Sequence, residues 1–112
     1  MLHIIKGLIS PDILRGITQI LESKETQALW EDGANTAKGA AGSVKHNQQL
    51  TAESPGLARV QTAIKGALAA HPEMERAAYP SHILDPFINR HDAEQGHRYG
   101  PHVDRTLRVR YP

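Results

Sequence analysis

Cysteine is absent from all 112 residues. That excludes disulfides, thiolate metal sites and cysteine nucleophiles, and it fits a reducing compartment, so a cytoplasmic chain is expected. Aromatic residues are nearly as scarce: Trp30, Phe87, Tyr79, Tyr99 and Tyr111 are all there are. The core must therefore lean on Ile, Leu, Val and Ala, with Trp30 expected inside it. An excess of one charge is missing too, since 13 basic and 12 acidic residues leave a formal charge of +1. Neither nucleic-acid nor membrane-surface binding is expected from that balance. No apolar run approaches transmembrane length. The opening "MLHIIKGLIS" lacks a basic segment followed by an extended apolar one, so no signal peptide is expected.

What is present has a mixed grammar. Leu2–Ile5 is short, apolar and β-branched, which predicts an opening strand. A helix should follow, with Ser10 as its cap, Pro11 in the first turn and Asp12 at the positive end of the dipole. Ile13, Leu14, Ile17, Ile20 and Leu21 form its apolar stripe. "ALWEDGA" predicts a strand entering a turn, and residues 34–43, small and glycine-rich, a mobile loop. "VKHNQQL" is polar and extended. Within it Lys45, Asn47 and Gln49 alternate, either to line a substrate cleft or to form a solvent-facing edge.

A second helix repeats the first one's start with Ser54 and Pro55, carries Leu57, Val60, Ile64 and Leu68 on one face, and should stop near His71 before Pro72. Segment 81–91, "SHILDPFINRH", reads as an edge or bulged strand because of Pro86. "DAEQGHRYGP" reads as a loop, with Tyr99, Gly100 and Pro101 turning the chain into "HVDRTLRVRY". There Val103, Leu107, Val109 and Tyr111 alternate with His102, Asp104, Arg108 and Arg110, the period of a strand with two unlike faces.

In such a strand His102 and Asp104 project to one face, a spacing suited to chelating a divalent first-row metal. A motif this short also arises by chance. His71-Pro72-Glu73 is similar in composition and reads as a helix stop. From Pro86 onward there are five arginines, Arg90, Arg98, Arg105, Arg108 and Arg110, against Asp92, Glu94 and Asp104. These form either a solvated basic face or an anion-binding one, and a polyanion-binding module built on Arg98, Arg105, Arg108 and Arg110 is a third possible reading.

Taken in order, "LHIIKGLISPDILRGITQIL", "LWEDGANTA", "VKHNQQL", "DPFINRH" and "YGPHVDRTLR" carry a resemblance that runs almost end to end. The chain resembles the amino-terminal half of bacterial PKHD-type hydroxylases, iron(II)- and 2-oxoglutarate-dependent dioxygenases related to prolyl and lysyl hydroxylases. The resemblance implies His102 and Asp104 as the first two iron ligands, with 2-oxoglutarate as cosubstrate and L-ascorbate as a further cofactor. It implies a cosubstrate pocket near Arg90, His91 and Tyr99, although the family has a tyrosine where this chain has His91, and a shorter loop before Tyr99. The family's second iron histidine and its carboxylate-binding arginine lie downstream of the matching region. His3, His46, His71, His82, His91 and His97 stand where the family has no ligand. A chain with two of three ligands is expected to be impaired in hydroxylation by itself. Its fold is expected to be α+β, a partial double-stranded β-helix, or jelly roll, with two amino-terminal helices packed on the sheet. Residues 1–112 would form one truncated domain, helical over 1–80 and entering the jelly roll over 81–112. An open sheet of this kind invites a homodimer or a partner chain that completes it, so a non-catalytic fragment acting through a partner is the alternative reading.

Overall fold

The computed structural model describes residues 2–36 and 40–102. The expected strand carrying Val103, Asp104 and the last three arginines lies outside the described residues. The chain is α+β and divides into two compact units.

The first unit joins the chain up to Trp30 with Leu50–Ile88. Helix α1, Pro11–Glu22, begins as its sequence dictates: Ser10 accepts a hydrogen bond from the Ile13 amide, and proline occupies the first turn. A four-residue helix α2, Lys24–Gln27, follows, capped by the Ser23 side chain. Helix α4, Pro55–Ala70, packs against α1, and Gly56 makes the approach close. A Cβ on Gly56 would stand 2.5 Å from Ile20 Cγ2. Ser54 sits at the expected cap position of α4, yet its hydroxyl makes no capping bond.

Pro72 does stop α4, and it also starts helix α5, Pro72–Ala78, for which the His71 ring serves as cap by accepting from the Glu73 amide. Helix α5 ends on Tyr79 in the left-handed region, φ 43°. Among the described residues the buried apolar ones are Ile17, Leu50 and Val60, all of this unit. Ile13 and Leu14, expected in the stripe of α1, are exposed instead.

The second unit joins Glu31–Gln49 with the chain from Asn89 onward. Strand β1, Trp30–Asp32, runs into a 3-10 turn, Gly33–Thr36. Helix α3, Ala40–Val44, leads to β2, Lys45–His46, and β3, Gln48–Leu50. Strand β3 lies between β1 and β4, Asn89–Arg90, with Gln48 antiparallel to Arg90 and Gln49 to Asn89. Strand β2 pairs with β5, Arg98–Tyr99, placing Lys45 opposite Tyr99 and His46 opposite Arg98.

Three expectations are corrected. Leu2–Ile5 forms no strand, and Leu2 and Ile4 are largely exposed, because no strand among the described residues pairs with them. Residues 34–43 are not one open loop: the 3-10 turn and α3 occupy most of them. Segment 81–88 is not strand, although the Leu50 amide donates to the Ile88 carbonyl and Gln61 to the Pro86 carbonyl, so only Asn89–Arg90 of the expected strand is strand. Trp30 is half-buried.

Candidate metal and cosubstrate site

The polar stretch "VKHNQQL" has an outcome that its composition hides. Lys45, Asn47 and Gln49 alternate inward and are all buried, whereas His46 is exposed and Gln48 half-buried. The solvent-facing edge is thereby excluded for these three side chains. The row is a buried polar face of the second unit.

Lys45 is where the electrostatics of this face are most strained. Burial pushes its ammonium group below the ordinary lysine range, and the nearby Asp32 carboxylate opposes that shift. The ammonium nitrogen also stands 5.5 Å from the Tyr99 ring centroid, within cation–π range. A lysine with a lowered folded-state pKa binds fewer protons folded than unfolded over the interval between the two values. Stability therefore rises with pH across that interval, which ends near the ordinary value of 10.5, and the penalty on the charged form is full below it. Lys45→Met keeps the buried stem and removes the charge. It is expected to flatten this alkaline rise, as measured by urea midpoints from neutral pH upward.

Asn47 is held twice. The Gly33 amide donates to its carbonyl at 2.9 Å, and its side-chain nitrogen lies 3.0 Å from His91 Nε2. Next along the strand, Arg90 donates through Nε to Gln48 Oε1 at 2.9 Å. Successive residues of an extended chain face opposite ways, so Arg90 is turned to the Gln48 side and His91 to the Asn47 side. Arg90 and His91, which the resemblance places near one pocket, thus meet different residues of the facing strand segment.

The loop from His91 to Tyr99 is built rather than loose. Asp92 caps the 3-10 turn Ala93–Gln95, Gly96 takes the left-handed conformation, and His97 Nδ1 accepts from the Asp92 amide at 2.9 Å. This returns the chain to β5, where Tyr99 sits over Lys45. Beyond it the Gly100 amide donates to the Val44 carbonyl at 2.8 Å.

His102 follows, exposed, its ring centroid 3.9 Å from that of Tyr99 at an interplanar angle of 50°. His102 Nδ1 lies 2.8 Å from the Gly100 carbonyl oxygen. A carbonyl only accepts, so Nδ1 carries the hydrogen and the lone pair of the neutral ring is on Nε2. Metal-binding histidines are oriented by this kind of contact. The donor chemistry of His102 thus fits a metal ligand. Asp104 lies outside the described residues, and among those described no three His, Asp or Glu side chains gather as a metal centre.

The residues described are a protein-oriented imidazole just past a short β-ladder, tilted against a tyrosine, and a buried polar face in the same unit. That arrangement belongs to an α+β chain and lies on its polar strands rather than its helices. Comparison with known proteins gives the chain curated relatives. The chain is 38 % identical over 109 residues, 97 % of its length, to a PKHD-type hydroxylase of Paracoccus denitrificans (strain Pd 1222). It is 37 % identical over 108 residues to one of Klebsiella pneumoniae (strain 342), and 39 % identical over 99 residues to one of Hyphomonas neptunium (strain ATCC 15444). It spans less than half of these curated relatives, 45 %, 45 % and 42 % of their respective lengths. The chain is a homologue of PKHD-type hydroxylases over that portion. No family model matches it, and no solved structure does. No helix of the described residues is long and apolar enough to cross a membrane.

Proposed function

We propose that this chain carries the first part of an iron(II)- and 2-oxoglutarate-dependent dioxygenase site, with His102 and Asp104 as two metal ligands. The observation that carries the reading is the alignment with hydroxylases across 97 % of the chain, which includes His102. The Nδ1 contact of His102 with Gly100 supports it, because it directs Nε2 to a metal. Iron(II), when bound with 2-oxoglutarate, would supply oxidative decarboxylation coupled to hydroxylation of a substrate.

The residues of this chain do the rest of what is proposed for it. His102 and Asp104 hold the metal. Tyr99 packs against the His102 ring and limits its rotation. His91 offers a polar contact to the cosubstrate, and Arg90 braces β4 through Gln48. The third ligand of a facial triad and the cation for the distal carboxylate are assigned to a further polypeptide segment, as the family resemblance implies. In the same reading the two small sheets are the beginning of a jelly roll, L-ascorbate accompanies the reaction, and the cytoplasm is the location.

A second reading is favoured by the first unit. Leu84 and Phe87, 57 % and 56 % exposed, stand on segment 81–88, which is neither helix nor strand. A partner chain, or a second copy of this one, that adds a strand there would cover them. This is the non-catalytic reading, a dioxygenase-derived chain acting by association.

Anaerobic iron(II) titration of the chain with 2-oxoglutarate tests the first reading. A weak visible charge-transfer band is expected, and the His102→Ala, Asp104→Ala double variant should lose it. Retention of the band in that variant would overturn the ligand assignment. Absence of both band and bound iron in the unaltered chain would favour the association reading.

A further inference from the structure

The way Asn47 is seated says something about His91 that neither the resemblance nor the motif contains. Asn47 is only 5 % exposed, and its Oδ1 accepts no conventional hydrogen bond among the described residues. That oxygen occupies the space where Gly33 would carry a Cβ, so it lies along a Cα–H bond of Gly33. A carbonyl oxygen is weakly favoured against a Cα–H, whereas an amide NH2 in the same place would set hydrogen against hydrogen. The amide orientation is thereby decided by Gly33: oxygen to the glycine, NH2 to His91 Nε2 at 3.0 Å.

An NH2 group only donates, so His91 Nε2 must accept and the hydrogen of the neutral ring goes to Nδ1. Free histidine prefers the other tautomer. His91 is exposed beyond this contact, and the ring's second nitrogen points away from Asn47.

We infer that Asn47 is a positioning residue that locks His91 in the Nδ1–H tautomer, so that it presents a hydrogen-bond donor to a carboxylate oxygen. The ligand role rests on the dioxygenase reading, whereas the tautomer lock does not. The lock explains how a ring can serve where a hydroxyl group would otherwise donate: a single N–H is aimed, and the other nitrogen is occupied. Gly33 and Asn47 contact no ligand themselves and act through His91.

Two-bond proton–nitrogen NMR correlations on the 15N-labelled, metal-free chain, at about pH 8 where histidine is ordinarily neutral, test the lock. His91→Gln identifies the ring's signals by their loss. The pattern of Nδ1–H with bare Nε2 is expected for the unaltered chain. Asn47→Asp, of the same shape, replaces the donor with an acceptor and should reverse the pattern to Nε2–H. If that variant does not fold, Asn47→Ala should give a mixture of tautomers. Nε2–H, or a mixture, in the unaltered chain overturns the inference.

A second arm titrates 2-oxoglutarate into the anaerobic iron(II)-loaded chain and its Asn47→Asp variant. The variant should bind about tenfold more weakly or worse, the loss of one hydrogen bond to a charged group. Equal affinity despite a reversed tautomer overturns the ligand role. No binding by the unaltered chain, with its tautomer as expected, overturns the ligand role of His91 in this chain while leaving the lock.

Discussion

Leu50→Ala is expected to lower the free energy of unfolding by about 3 kcal/mol, within the range that a buried leucine loses on truncation. Leu50 is 2 % exposed and ends β3, beside the few other buried apolar residues, Val60 at 0 % and Ile17. Whether a cavity costs much depends on whether its walls can close. Here they are held: the Leu50 amide donates to the Ile88 carbonyl at 3.0 Å, and the Thr51 amide to the Leu29 carbonyl at 3.0 Å. Backbone tied on both sides of the removed side chain relaxes little, so most of the cavity remains. A domain of about this size loses roughly 4–8 °C of melting temperature per kcal/mol, which puts the expected drop at more than about 12 °C. Leu84→Ala is the control, since an exposed leucine should change stability by no more than about 0.5 kcal/mol. Equal effects of the two substitutions would mean that the core is not centred on Leu50.

The contrast between those two leucines also marks where sequence pattern stops being informative. Ser10-Pro11 and Ser54-Pro55 announce two helices because a cap and an N-terminal proline act locally. Pro72 announces a helix stop for the same reason. That it also opens α5 was not legible, because the cap is a histidine ring, a residue outside the usual set of side-chain caps. Strands depend on partners supplied from elsewhere in the chain. Leu2–Ile5 and segment 81–88 have strand-like sequences and are not strand, whereas the polar Lys45–His46 and Gln48–Leu50 find Arg98–Tyr99 and Asn89–Arg90. Hydrophobic periodicity cannot register the burial of Lys45, Asn47 and Gln49, since none of them is apolar. Likewise the motif around His102 is legible as residue types at a strand spacing. The turning of Arg90 away from His91 follows only from the register of β3 and β4. A search for alternating amides beside a histidine-bearing strand is the one signal that could have drawn attention to Asn47.

Gly33→Ala tests that same residue through stability. Gly33 has no left-handed backbone that would by itself demand glycine. On conformational entropy alone, alanine there should stabilise by about 0.4–1 kcal/mol. The opposite is expected, a net destabilisation of about 2 kcal/mol, because the new methyl group would overlap Asn47 Oδ1 and come to 2.8 Å from its Cγ. Asn47 is short, buried and held at its backbone by the Gly33 amide, so it cannot yield by swinging a flexible end. It must leave its seat, which breaks the 3.0 Å contact with His91 and leaves a buried amide without its partner. If that is the cause, the cost should disappear once the obstruction is gone. In an Asn47→Ala background Gly33→Ala should be neutral or stabilising, and the double-mutant cycle should return a coupling above about 1 kcal/mol. Unfolding curves of the four chains measure it. A Gly33→Ala chain that is more stable than its parent would mean that the asparagine does not occupy the space above the glycine. The amide would then be free to turn, and the proton on His91 would no longer be set by it.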